Sequence, residues 1–143
     1  MTGRVSGKMA FVTGAAQGIG EAIAFKLAKE GAKVTVADIN EEGATAVSKK
    51  INDQFPGKAF SVALDVTSED QWKESLDRSE ESMGGLNILV NNAGISAGST
   101  IEETDYETFQ NVMKIDTDSV FLGSKYAIPI MKKYAPGSIV NTS

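Results

Sequence analysis

The chain is predicted to fold as an α/β domain, a doubly wound parallel sheet held between two layers of helices. Three observations carry this expectation. Short apolar runs alternate with longer amphipathic segments along the whole chain, the pattern of repeated strand–helix–strand units. The run Leu86 to Val90, dense in leucine, isoleucine and valine, reads as a strand buried on both faces of a parallel sheet. Glycines cluster between the first apolar run and the first amphipathic one, at Gly14, Gly18 and Gly20.

Taken in order, Met9 to Thr13 is expected to be the first strand. A helix follows over Gly18 to Glu30 and stops at Gly31, a residue suited to the left-handed position after a helix end. Lys33 to Ala37 forms a second strand. Asn40 caps a helix that runs toward Phe55, where Pro56-Gly57 breaks it. Ala59 to Leu64 is the third strand. Ser68 to Gln71 has capping-box form and opens a third helix, which Gly84-Gly85 ends. Leu86 to Val90 is the fourth strand. Thr104 to Glu107 is a second capping box, opening the longest helix, which reaches about Tyr134 with a kink expected at Pro129. Ser138 to Asn141 is a fifth strand. Connections of these lengths suit right-handed crossovers.

Length and composition fit one soluble domain over residues 1–143, with no linker or repeat. A chain of this size buries roughly 70% of the surface exposed when it is unfolded. Hydrophobic residues make up 41% and charged residues 23%. No apolar run has the roughly 20 residues needed to span a bilayer. Met1 to Lys8 contains no signal-peptide stretch, so a cytoplasmic setting is expected. Cysteine and histidine are absent, which leaves no thiolate or imidazole metal ligand, and no metal site is expected. The net charge of −5 argues against nucleic-acid and anionic-membrane partners. The basic pairs Lys49-Lys50 and Lys132-Lys133 each fall near an expected helix end, where they complement the helix dipole.

The glycines have a chemical use. A tight turn between a strand and a helix brings backbone close to a pyrophosphate and offers it the free N–H groups of the helix N-terminus. Gly14, Gln17, Gly18, Ile19 and Gly20 are the candidate residues of this turn, in a Rossmann-type arrangement. Asp38 stands at the end of the second strand, 18 residues beyond Gly20, where a carboxylate accepts from both ribose hydroxyls of an adenosine and repels a 2′-phosphate. Position 17 is glutamine and position 39 is Ile39, so neither supplies a phosphate-binding base, and NAD is expected over NADP. Asp65, after the third strand, is placed to accept from an adenine amino group, with Val66 against the ring.

Together these residues resemble the short-chain dehydrogenase/reductase family, in its shorter-subunit branch, over the whole chain. Thr13-Gly14-x-x-x-Gly18-Ile19-Gly20 is similar to that family's cofactor motif and Asp65-Val66 to its adenine contact. Asn91-Asn92-Ala93-Gly94 resembles its sheet-stabilising and ribose-side motif, which makes Asn92, Ala93 and Gly94 cofactor-site candidates. Gly137 to Asn141 resembles the strand leading into its catalytic serine. The resemblance implies strand order 3-2-1-4-5 for the strands present, with the cofactor lying across strands 1 and 4. It also implies hydride transfer between a nicotinamide and an alcohol or carbonyl carbon, with a tyrosine phenol handling the proton beside a lysine, a serine holding the substrate oxygen, and a helix asparagine ordering a water relay.

The chain departs from this pattern at several points. None of Tyr106, Tyr126 and Tyr134 is followed by lysine at the family's Tyr-x-x-x-Lys spacing. The family's serine aligns with the residue that would follow Ser143. Its helix asparagine aligns with Asp116, which as a carboxylate cannot donate as an amide does. Asn87 stands where the family often has aspartate.

The expectation is therefore an NAD-dependent oxidoreductase whose N-terminal, cofactor-binding portion this chain represents, inactive by itself. A non-catalytic NAD-binding module is the alternative, and a nucleotide-dependent methyltransferase a more distant one. Preference for NADH over S-adenosylmethionine, and turnover of an alcohol, separate the three. The resemblance also implies a homo-oligomer, with Phe109, Val112, Met113, Val120 and Phe121 of the long helix buried against sheet and neighbouring subunit. The segment Ile95 to Glu103 borders the expected site, and its small polar residues name no substrate.

Overall fold

A computed structural model describes residues 3–143. Five parallel strands form one sheet in the order β3-β2-β1-β4-β5. The strands are β1 (Met9–Thr13), β2 (Lys33–Asp38), β3 (Ala59–Ala63), β4 (Ile88–Asn91) and β5 (Ser138–Asn141). Helices α1 (Gly18–Lys29), α2 (Glu41–Gln54) and α3 (Glu69–Met83) make the first three connections. The fourth comprises α4 (Tyr106–Met113), a π-helical turn (Lys114–Asp118), α5 (Ser119–Met131) and a short 3-10 turn (Lys132–Tyr134). This is the doubly wound three-layer sandwich that the alternating pattern leads one to expect.

The alternation of side chains along the strands divides the core in two. Ala10, Val12, Val34 and Val36 face α1 and α2, whose small residues Ala24, Ala28 and Ala44 let the helices approach closely. Phe11, Ala37, Val62 and Leu89 face the other way, toward Trp72 and Leu76 of α3 and Ala127 and Ile130 of α5. Phe11 pairs in register with Thr35 on one side and Leu89 on the other, and its ring centroid lies 5.8 Å from that of Trp72. At the opposite end of the sheet the buried Asn87 accepts the Met9 N–H at 2.9 Å, joining the starts of β1 and β4. That bond needs only an acceptor, so an amide serves where a carboxylate would.

The helix starts follow local chemistry. Asn40 accepts from Gly43 N–H at 3.0 Å, as expected of a cap. The Ser68 hydroxyl accepts from Gln71 N–H, but the Gln71 side chain does not return to Ser68; it goes to Asp65. The long connection begins one residue later than its sequence suggests. Asp105 is the cap, accepting from Thr108 N–H at 2.7 Å, while the Thr104 hydroxyl is committed to the Thr100 carbonyl. A carboxylate is the stronger acceptor and complements the helix dipole. The regular helix is interrupted at Lys114–Asp118, and Pro129, where a kink is expected, lies inside α5. Pro129 sits two residues before the end of α5, where it cannot donate the backbone bond to the carbonyl four residues earlier.

Candidate functional site

The residues expected at a cofactor all line one cleft of about 420 Å³ at the carboxyl ends of the strands. Gly14, Gln17, Gly18, Ile19 and Gly20 come from the β1–α1 turn, Asp38 and Ile39 from the end of β2, Asp65 and Val66 from beyond β3, and Asn92, Ala93 and Gly94 from beyond β4. The cleft opens between β1 and β4, where the strand order reverses, the place at which doubly wound sheets take ligands.

The turn leaves backbone and space open to the cleft. Gly18 has φ +57°, a left-handed conformation that a side chain strains, and the space around its absent Cβ is open to the cleft. Gly20 is required by close approach: a Cβ there would lie 2.6 Å from Asn92 Nδ2 and closer still to the Gly14 carbonyl. Gln17, the residue before α1, makes no side-chain cap bond. The first N–H groups of α1 therefore keep their donors for a ligand.

Two carboxylates flank the turn. Asp38 accepts from Ala16 N–H at 3.0 Å through one oxygen and from Asn40 N–H at 2.9 Å through the other. It thus tethers the glycine turn to the end of β2 and still has lone pairs to offer a sugar. Asp65 accepts on one oxygen from the Thr67 hydroxyl at 2.7 Å and from Thr67 N–H at 2.9 Å. These two bonds, the hydroxyl first, hold its carboxyl below the usual aspartate range against a partial burial that raises it, and Lys114 adds to the lowering. Asp65 is therefore an anionic acceptor at neutral pH. Ile39 is 74% exposed beside Asp38, an apolar surface waiting on the wall of the cleft.

The ends of β1 and β4 are knotted together. The Thr13 hydroxyl oxygen accepts from Asn92 N–H and Ala93 N–H, each at 2.9 Å. The Asn92 side-chain amide donates to the Thr13 and Gly14 carbonyls at 3.1 and 3.3 Å, and its oxygen accepts from the Thr142 hydroxyl at 3.3 Å. Asn92 lines the cleft, but its side-chain amide is engaged, the nitrogen by the Thr13 and Gly14 carbonyls and the oxygen by Thr142.

Asp116 lies in the π-helical turn and accepts from Ile95 N–H at 2.8 Å, tying that turn to the segment beyond β4. It is its neighbour Ile115 that faces the cleft. None of the tyrosines reaches the cleft. The Tyr126 phenol donates to Glu69 and the Tyr134 phenol to Glu80, stapling α5 and the turn after it to α3. Glu80 raises the Tyr134 pKa, the reverse of what a proton-accepting tyrosine needs.

A family model described as short chain dehydrogenase matches residues 8–143. The chain belongs to the short-chain dehydrogenase family. It is 40% identical over its full length to a 2,5-dichloro-2,5-cyclohexadiene-1,4-diol dehydrogenase of Sphingobium indicum, covering 57% of that relative. It is 39% identical to a 3-alpha-(or 20-beta)-hydroxysteroid dehydrogenase of Mycobacterium tuberculosis, covering 54% of it. The chain thus spans about half the length of the curated relatives it matches. Among solved structures, a hydroxysteroid dehydrogenase from Escherichia coli superposes with a TM-score of 0.88 at 36% identity, covering 96% of this chain and 58% of that one. A short-chain type dehydrogenase/reductase from Mycobacterium marinum gives a TM-score of 0.91 at 34% identity, covering 97% of this chain and 56% of its own.

Within this short-chain dehydrogenase fold, Ile95 opens the segment expected to border the site, whereas two cleft residues, Leu64 and Ile115, carried no signal in the sequence. Leu64 adjoins the Asp65-Val66 motif, and adjacency was its one available clue. Ile115 was hidden in the long helix, where it lies in the π-helical turn.

Proposed function

We propose that the chain binds NAD in the cleft and, within a short-chain dehydrogenase subunit, serves hydride transfer between the nicotinamide and an alcohol or its ketone. The observation that carries the cofactor reading is the Asp38 carboxylate, fixed at the cleft by Ala16 N–H and Asn40 N–H. Among the described residues no lysine or arginine lines the cleft to offset a 2′-phosphate. The fit of the group is supported by the space at Gly18 and the unclaimed N–H donors of α1. Bound there, the cofactor supplies the hydride-carrying ring. The chain's own residues hold the pyrophosphate, the ribose and the adenine.

The test is fluorescence titration with NADH and NADPH. NADH is expected to bind more tightly, and Asp38→Ala is expected to weaken NADH and narrow the ratio between the two. An unchanged ratio removes the assignment.

With no Tyr-x-x-x-Lys pair in its 143 residues, the chain by itself is proposed to bind the dinucleotide without turning over an alcohol. The engagement of Tyr126 and Tyr134 by Glu69 and Glu80, away from the cleft, favours this and keeps a purely cofactor-binding role as the second reading. For a protein containing this domain, the relatives' names suggest hydroxylated rings as the first alcohols to screen. The exposed apolar side chains Tyr106, Phe109, Met113 and Phe121 along α4 and α5 support assembly into a homo-oligomer.

A further inference from the structure

We infer that Gln71 and Trp72, on the first turn of α3, are positioning residues for the adenine end of the cleft, clamping the Asp65–Val66 backbone from two sides so that the Asp65 carboxylate meets a purine amino group. This rests on the dinucleotide reading above. The starting observation is a bond that does not form. In a capping box the glutamine side chain reaches back to the N–H of the cap residue. Here Ser68 N–H donates instead to the Asp65 carbonyl at 3.0 Å. The freed Gln71 Oε1 accepts from Asp65 N–H at 2.7 Å. One residue further on, Trp72 Nε1 donates to the Val66 carbonyl at 2.9 Å.

Trp72 cannot drift, since its side chain is 0% exposed and packs on Phe11. With the two Thr67 bonds to one carboxylate oxygen, the Asp65 N–H and C=O and the Val66 C=O are held by local partners, and among the described residues nothing engages the other Asp65 carboxylate oxygen. A strand-end segment of this kind is ordinarily adaptable; this one is anchored to the rigid start of a helix. The choice of glutamine also has an electrostatic reason. A second carboxylate at this position would press the Asp65 carboxyl toward its neutral form, whereas an amide oxygen accepts the same N–H without that cost.

The experiment compares NADH with reduced nicotinamide hypoxanthine dinucleotide, in which an oxo group replaces the purine amino group. Binding of both is measured to the wild-type chain, Gln71→Ala and Trp72→Phe, alongside hydrogen exchange of the Asp65 amide without ligand. Wild type is expected to prefer NADH. In Gln71→Ala, NADH should weaken about fivefold while the hypoxanthine analogue changes little, and the Asp65 amide should exchange about tenfold faster. Gln71→Glu, which keeps an acceptor, should restore the protection. Trp72→Phe keeps the ring bulk but not the donor, and should likewise shrink the preference for NADH. Equal weakening of both dinucleotides, or an Asp65 amide indifferent to Gln71→Ala, overturns the inference while leaving the NAD reading in place. A wild-type chain that binds neither dinucleotide removes both.

Discussion

Asp116 shows how a substitution that looks disabling on paper can be neutral in space. Read against the family's asparagine, a carboxylate loses the ability to donate. In the structure the side chain accepts from Ile95 N–H, a bond that an asparagine oxygen can also accept. Asp116→Asn is therefore expected to leave stability within about 0.5 kcal/mol of wild type. Asp116→Ala should cost about 1 kcal/mol and speed exchange of the Ile95 amide. Urea denaturation and amide exchange check both. The same scale shows what was legible. Gly18, Gly20, Asp38 and Asn40 were readable because their requirements are local: a backbone angle, a close approach, a strand end, a cap. The acceptor role of Asp116 was not, because its partner is 21 residues away, and neither was the diversion of Gln71 to Asp65.

At the level of elements, the sequence placed every strand and helix but missed the break in the longest one. Proline advertises a kink, whereas a π-helical turn has no residue signature; Lys114–Asp118 adopts it where Asp116 engages Ile95. Beyond the turn, α5 is held to α3 by a repeated device. Lys125-Tyr126 grips Glu69, and Lys133-Tyr134 grips Glu80. Elsewhere, Glu30 pins the segment before β1 to the end of α1. Arg4 N–H, Lys26 and the Arg4 guanidinium, in that order of effect, lower its pKa from 4.5 to about 2. A carboxyl depressed on folding stabilises above its unfolded pKa, and that stability drains away as pH falls through the folded value. The wild-type melting temperature should therefore fall more steeply between pH 4.5 and about 2 than that of Glu30→Gln, as calorimetry across that window would read. Parallel curves would mean the clasp contributes nothing.

For the molecule as a whole, burial decides which changes matter. Leu89, 0% exposed on β4, is expected to cost about 2–5 kcal/mol when replaced by alanine. Ile101, 92% exposed, should cost no more than about 0.5 kcal/mol under the same urea titration. The sheet carries its apolar surface unevenly. Every residue of β5 is exposed, with Ile139 at 36% and Val140 at 49%, and among the described residues no strand pairs with its outer side. Such an edge invites pairing. At micromolar concentration the 143-residue chain is expected to self-associate in sedimentation velocity, and Val140→Lys to reduce the association; a monodisperse wild-type monomer would count against this. The knot at Thr13 and Asn92 has the opposite character. It joins the two halves of the sheet at the seam between them, and it is complete with protein atoms alone. The glycine-turn end of the cleft is thus preorganised: a dinucleotide bound there as proposed would lose little affinity to ordering the protein around it.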